Sequence, residues 1–142
     1  MSSELEGYDD HAAAAIDYAH QFSERARLGH IGTEHLLLGL MESGNSAAVR
    51  ALASLGVTLE KVEAEMVEQG MTTQRIILSE QMASSLADAV LRAARSRAST
   101  AGRPLVDTMD LLMALVQERE GVASKVLAEL GVGSEQVARA LE

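Results

Sequence analysis

The 142-residue chain has no cysteine, no tryptophan, one proline, one phenylalanine and two tyrosines. Without cysteine there is no disulfide framework, no thiol nucleophile and no cysteine-ligated zinc. So little proline and aromatic area, beside abundant Ala, Leu, Val, Glu and Met, favours helices over strands. Lysine is scarce too. Lys61 and Lys125 are each followed by Val, whereas a P-loop needs Lys followed by Ser or Thr in a glycine-rich turn. These residues therefore hold no Walker-type nucleotide site. Positive charge is in deficit: 12 Lys and Arg face 21 Asp and Glu, for a net charge of −9. That balance repels a phosphate backbone, so a nucleic-acid partner is not expected. No apolar run approaches the roughly 20 residues of a membrane span. The start, MSSELEGYDD, lacks the basic-then-apolar order of a signal peptide. The expectation is a cytoplasmic protein without a membrane partner, long enough for one domain with a sizeable core.

What is present is a repeat. Residues 31–66 align without a gap on 106–141 at an offset of 75, with 12 of 36 positions identical. Among them are Thr33/Thr108, Leu36/Leu111, Leu37/Leu112, Leu40/Leu115, Ala48/Ala123, Leu52/Leu127 and Gly56/Gly131. Composition alone gives about 3 or 4 such identities, so the chain reads as a duplication.

Each copy reads as four helices. Asp9 or Asp10 caps the first, which runs to about Arg27 with Ala12, Ile16 and Ala19 on one face. Thr33 caps the second, whose stripe is Leu36, Leu37, Leu40 and Met41. Ser46 opens the third, which stops at Gly56 in a left-handed C-terminal turn. Thr58 opens the fourth. The second copy repeats this from Ser79, Thr108, Gly121 and Ser134. The expected architecture is all-α: one domain over 1–142, with repeat one at 8–67, a linker at 68–77 and repeat two at 78–142. Its eight helices form two four-helix units related by a pseudo-twofold axis, with a groove near their seam. From Tyr8 to Thr33 is 25 residues and from Leu78 to Thr108 is 30. About five extra residues are therefore expected in copy two, around Ser99–Pro104.

Leu28–Leu40 (LGHIGTEHLLLGL) and Ser54–Glu60 (SLGVTLE) closely resemble the N-terminal domain of the bacterial ClpA/ClpC-type unfoldases. The G-V-A-x-x-V-L-x-x-L-G run at Gly121–Gly131 resembles the partner repeat. The resemblance covers nearly the whole chain and implies eight helices in tandem. It also implies a non-catalytic module that docks adaptors and marked substrates ahead of ATPase rings feeding a chambered protease. The missing nucleotide site and native-looking start lead to the expectation of a stand-alone protein. Such a protein would bind an adaptor, a substrate or the unfoldase itself and modulate degradation.

The resemblance also implies binding residues. Family members recognise phosphoarginine through the Glu of the G-T-E-H motif, which is Glu34 here, with Thr33 at the same helix start. A carboxylate suits a guanidinium, and helix N-terminal N–H groups suit a phosphate. The structural alternative is that Thr33 is a cap and Glu34 an exposed first-turn charge. In copy two Met109 stands in the Glu position and Asp110 in the His position, so one of two such pockets is expected to be lost. The family also carries Phe at the start of each first helix, lining a hydrophobic groove for adaptors and cyclic-peptide antibiotics. Leu5, Tyr8 and Leu78 hold those places here, with Ser79 beside them, leaving an apolar groove with little stacking area.

The same residues allow two further readings. The same groove could act as a decoy that sequesters a Clp-targeting peptide or cyclic-peptide antibiotic. A metal-dependent hydrolase around His30, Glu34 and His35 has the wrong spacing for H-E-x-x-H, so neither metal nor cofactor is expected. Arg92, Arg95, Arg97 and Arg103 form a basic cluster, read as a solvated face or a contact for an acidic partner. Met71 and Met109 are expected to be exposed.

Overall fold

The computed structural model describes residues 6–25, 31–68 and 80–140, the side chains of 80–83 excepted. The helices run α1 (Asp10–Arg25), α2 (Thr33–Met41), α3 (Ala47–Ser54), α4 (Leu59–Glu68), α5 (Glu80–Thr100), α6 (Thr108–Gln117), α7 (Val122–Glu129) and α8 (Ser134–Ala140). The fold is all-α, with eight helices among the described residues. Among the described residues the only β-type pairing is an isolated bridge, Tyr8 to Val106. Leu5, Leu78, Ser79, His30 and Met71 lie outside the described residues, as does most of the expected linker.

Local chemistry accounts for most of the boundaries. Ala12 N–H donates to Asp9 Oδ1 (2.8 Å), Val49 N–H to Ser46 Oγ (3.3 Å) and Lys61 N–H to Thr58 Oγ1 (3.2 Å). Each bond satisfies a first-turn donor that has no partner within its helix. After α3 and α7 the chain turns at Gly56 (φ +81°) and Gly131 (φ +82°). Val57 N–H then reaches back to Leu52 O (2.9 Å) and Val132 N–H to Leu127 O (2.8 Å). A β-carbon is strained at such a left-handed residue, which is why glycine ends both helices.

Two expectations are corrected. Thr33 is the first residue of α2 and not its cap; Gly32 holds that place, and Asp107 holds it for α6. The threonine hydroxyls work elsewhere. Ala123 N–H of α7 donates to Thr33 Oγ1 and Ala48 N–H of α3 donates to Thr108 Oγ1, both at 3.2 Å. Each copy thus caps a helix of the other. The second correction concerns length. Buried Ala12, Ala15, Ala19 and Ser23 of α1 match buried Ala87, Val90, Ala94 and Ala98 of α5 at the same offset of 75 as the rest of the repeat, whereas α1 starts at Asp10 and α5 already at Glu80. The five extra residues therefore lie at the N-terminal end of the longer α5, not around Ser99–Pro104.

Packing follows the same interlock. α2 and α6 occupy the centre, with Leu36, Leu37, Leu40, Leu111, Leu112 and Leu115 buried. α1 crosses α2 as α5 crosses α6. α3 packs on α6 and α8, while α7 packs on α2 and α4. The third helix of each copy therefore completes the core of the other. α1 and α2 approach closely at Gly39, where a β-carbon would run into Ala15 O and come within 3.0 Å of Ala19 N.

Candidate functional site: a groove between the first helices

The first helices of the two copies, α1 and α5, leave a groove of about 570 Å³ between them. Tyr8, Ile16, His20 and Ile31 line one wall; Ser84, Asp88, Leu91, Arg92 and Arg95 line the other. The wall from α5 follows from helical geometry, since residues 84, 88, 91, 92 and 95 recur at i+3 and i+4 spacing on one face. The N-terminal wall is fixed by backbone bonds. Val106 N–H donates to Gly7 O (2.8 Å) and Asp9 N–H to Val106 O (2.9 Å), tying the segment before α1 to the segment before α6. Tyr8, only 8% exposed, sits between them. Arg95 Nη1 donates to its hydroxyl at 2.8 Å. Tyr8 is thus both packed and part of the lining.

The other sequence-flagged residues lie at the N-termini of α2 and α6. Thr33 is buried and its hydroxyl caps α7. Glu34 is 6% exposed and lies 3.9 Å from His35 Nδ1, which accepts a bond from Gly32 N–H (2.9 Å). The expectation of an exposed first-turn charge is therefore overturned: the turn faces the packed interior. Neither Thr33 nor Glu34 lines the groove.

At the equivalent place in copy two, Met109 is also buried, against the expectation of exposure. Asp110, at the position of His35, is 1% exposed and closes a reciprocal cap: Asp110 N–H donates to Asp107 Oδ1 (2.9 Å) and Asp107 N–H to Asp110 Oδ2 (3.0 Å). Arg103 grips it with two bonds of 2.6 Å, and Arg97 Nε lies 3.5 Å away. Burial pushes the Asp110 carboxyl up. The Arg103 and Asp107 hydrogen bonds and the charges of Arg103 and Arg97 outweigh that and hold it below the usual carboxylate range. The bond to Asp110 correspondingly raises Arg103. Half of the basic cluster, Arg97 and Arg103, is therefore engaged by a buried carboxylate within the fold while remaining partly solvated. Arg92 and Arg95 are the half that lines the groove.

Ile16, His20, Asp88 and Leu91 were missed as lining residues. Their signal was present in the i+4 spacing of 16 and 20 and of 84, 88 and 92. It becomes a site only once α1 and α5 are known to be neighbours. Among the described residues no cluster of His, Asp and Glu has the arrangement of a metal site, and no helix is long and apolar enough to cross a membrane.

Comparison with known proteins places this geometry. The model of the Clp repeat (R) N-terminal domain matches residues 7–81 and again 82–142. The chain is 38% identical over 116 residues to the chaperone protein ClpB of Oceanobacillus iheyensis, covering 77% of this chain and 14% of that protein. It is 38% identical over 114 residues to ClpC/MecB of Bacillus subtilis, a negative regulator of genetic competence, again covering 77% and 14%. It thus spans about a seventh of the length of these relatives. The crystal structure of the N-terminal domain of ClpD from Arabidopsis thaliana superposes with a TM-score of 0.71 at 20% identity, covering 99% of this chain and 96% of that one. With two tandem matches spanning residues 7–142, the chain belongs to the Clp repeat (R) N-terminal domain family.

Proposed function

We propose that this chain is a non-catalytic docking module of the Clp protease system, working in the cytoplasm. It holds a segment of an adaptor, a substrate or the unfoldase in the groove between α1 and α5 and so modulates degradation. The observation that carries the reading is the groove itself: Ile16 and Ile31 on one wall and Leu91 on the other, with polar side chains beside them, at the junction of two interlocked repeats. Concave, mostly apolar sites with a few placed polar groups are where proteins hold ligands. Family membership supports the same role.

The test is an NMR titration of isotope-labelled protein with an unfolded polypeptide. Amide shifts are expected to concentrate at Ile16, Ile31 and Leu91, and Leu91→Lys, at a residue partly packed on the core, is expected to remove them while the chain stays folded with a modestly lower melting temperature. Absence of shifts, or shifts confined to α7 and α8, sinks the proposal. A phosphoarginine role for Glu34 would require the packed N-terminus of α2 to open, so the groove is favoured as the docking site. The decoy reading places a cyclic peptide in the same groove. Tyr8 is the one aromatic among its described lining residues, and so small a stacking area argues for a linear segment.

A further inference from the structure

The groove has a charge pattern that selects its occupant, an inference that rests on the docking reading above. At net charge −9 most of this surface repels an acidic segment. The α5 wall is the exception. Of the 12 Lys and Arg in the chain, Arg92, Arg95, Arg97 and Arg103 fall within twelve residues. Arg97 and Arg103 are held by Asp110. Among the described residues, Arg92 and Arg95 have no carboxylate within ion-pair distance. Arg95 is held in place by the Tyr8 hydroxyl, and a phenol oxygen does not neutralise it. Arg92 is exposed. Asp88, the one carboxylate in the lining, stands one turn before Arg92 without pairing to it.

We infer that the groove takes an acidic–apolar peptide segment: an aliphatic or aromatic anchor on Ile16, Ile31 and Leu91, with a carboxylate on Arg92 and Arg95. The pattern also sets a direction. Asp88 and Arg95 are about 10 Å apart along the helix axis, so the acidic group points toward the C-terminal end of α5, away from Asp88. Leu91 and Arg95 are neighbours at i,i+4, so the acidic residue lies within one or two positions of the anchor.

Three fluorescent peptides with the same apolar centre, flanked by Glu, Gln or Lys, test this by anisotropy against the full chain. The Glu peptide is expected to bind about three- to tenfold tighter than the Gln peptide, the gain one or two partly exposed ion pairs supply. The Lys peptide is expected to bind weakest, and added salt is expected to compress the series. Arg92→Glu, at an exposed residue with no hydrogen bond or ion pair among the described residues, is expected to invert the order while the melting temperature holds. Equal binding by all three peptides, lost together in Leu91→Lys, overturns the charge inference and leaves docking intact. A Lys peptide that binds tightest also overturns it. No binding by any peptide overturns both.

Discussion

At the scale of single residues the two copies have taken one position in opposite directions. His35 and Asp110 both sit in the first turn of a central helix and both accept a hydrogen bond from the backbone N–H of the capping residue. Asp110 also binds Arg103 and Arg97. Its folded-state pKa is depressed, so its contribution is present above the unfolded value of about 3.9 and is lost as pH falls through the lower folded value. Asp110→Asn is expected to cost about 1–3 kcal/mol at neutral pH, since it takes the carboxylate from Arg97 and leaves Arg103 only its 3.2 Å contact with Asp107, while both arginines remain partly solvated. The difference from the parent should shrink below about pH 4; a constant gap in denaturant titrations from pH 7 to pH 3 would count against this account. Met109→Glu, which on sequence grounds restores a lost pocket, instead places a carboxylate at a buried site and is expected to lower the melting temperature. None of this burial was readable in residue types. First-turn acids are usually solvated, and only the packing of α2 and α6 at the centre shows that these are not.

At the scale of elements, the helices and most of their ends could be read directly from the chain. Asp9, Ser46, Thr58, Gly56 and Gly131 act through bonds to residues two to five positions away, so the information is local. Thr33 and Thr108 could not be read this way. Their hydroxyls serve helices 90 and 60 residues distant, and a threonine at a helix start looks like that helix's own cap. Thr33→Val and Thr108→Val are each expected to cost about 1 kcal/mol, the usual loss for a capping hydroxyl. Hydrogen exchange checks the assignment: Thr33→Val should loosen α7, and Thr108→Val α3, more than their own helices. Gly39→Ala is expected to cost 2 kcal/mol or more, because the new methyl meets backbone of α1 and not a yielding side chain. Position 114, its counterpart, is already Ala, so the α5–α6 crossing has room for that carbon. A Gly39→Ala variant with an unchanged melting temperature would refute the close crossing.

At the scale of the whole molecule, the duplication was plain in the sequence, but not how its halves combine. Identities at a fixed offset show two similar units; they do not show that each lends a helix to the other. α3 packs on α6 and α8, and α7 on α2 and α4, so a fragment ending at residue 77 keeps Leu52 and Val57 but loses the surfaces that bury them. Such a fragment is expected to show helical circular dichroism without a cooperative thermal transition. A sharp transition in the isolated fragment would mean the repeats are independent. The repeat implies a groove at the seam and the resemblance puts the starts of both first helices in it, but spacing alone does not show that His20, Asp88 and Arg95, further along α1 and α5, share that lining.

The crossed threonine caps also bear on how such a chain can change over time. Gly121 leaves no room for a β-carbon because Thr33 Oγ1 and Glu118 Oε1 would lie 2.5 and 2.6 Å from it, whereas its counterpart Ser46 carries a side chain. The halves have diverged as lock and key. A chimera built from two copies of the first half would set a serine side chain where Gly121 now meets Thr33, so that joint has to be revised before the first half can stand in for the second.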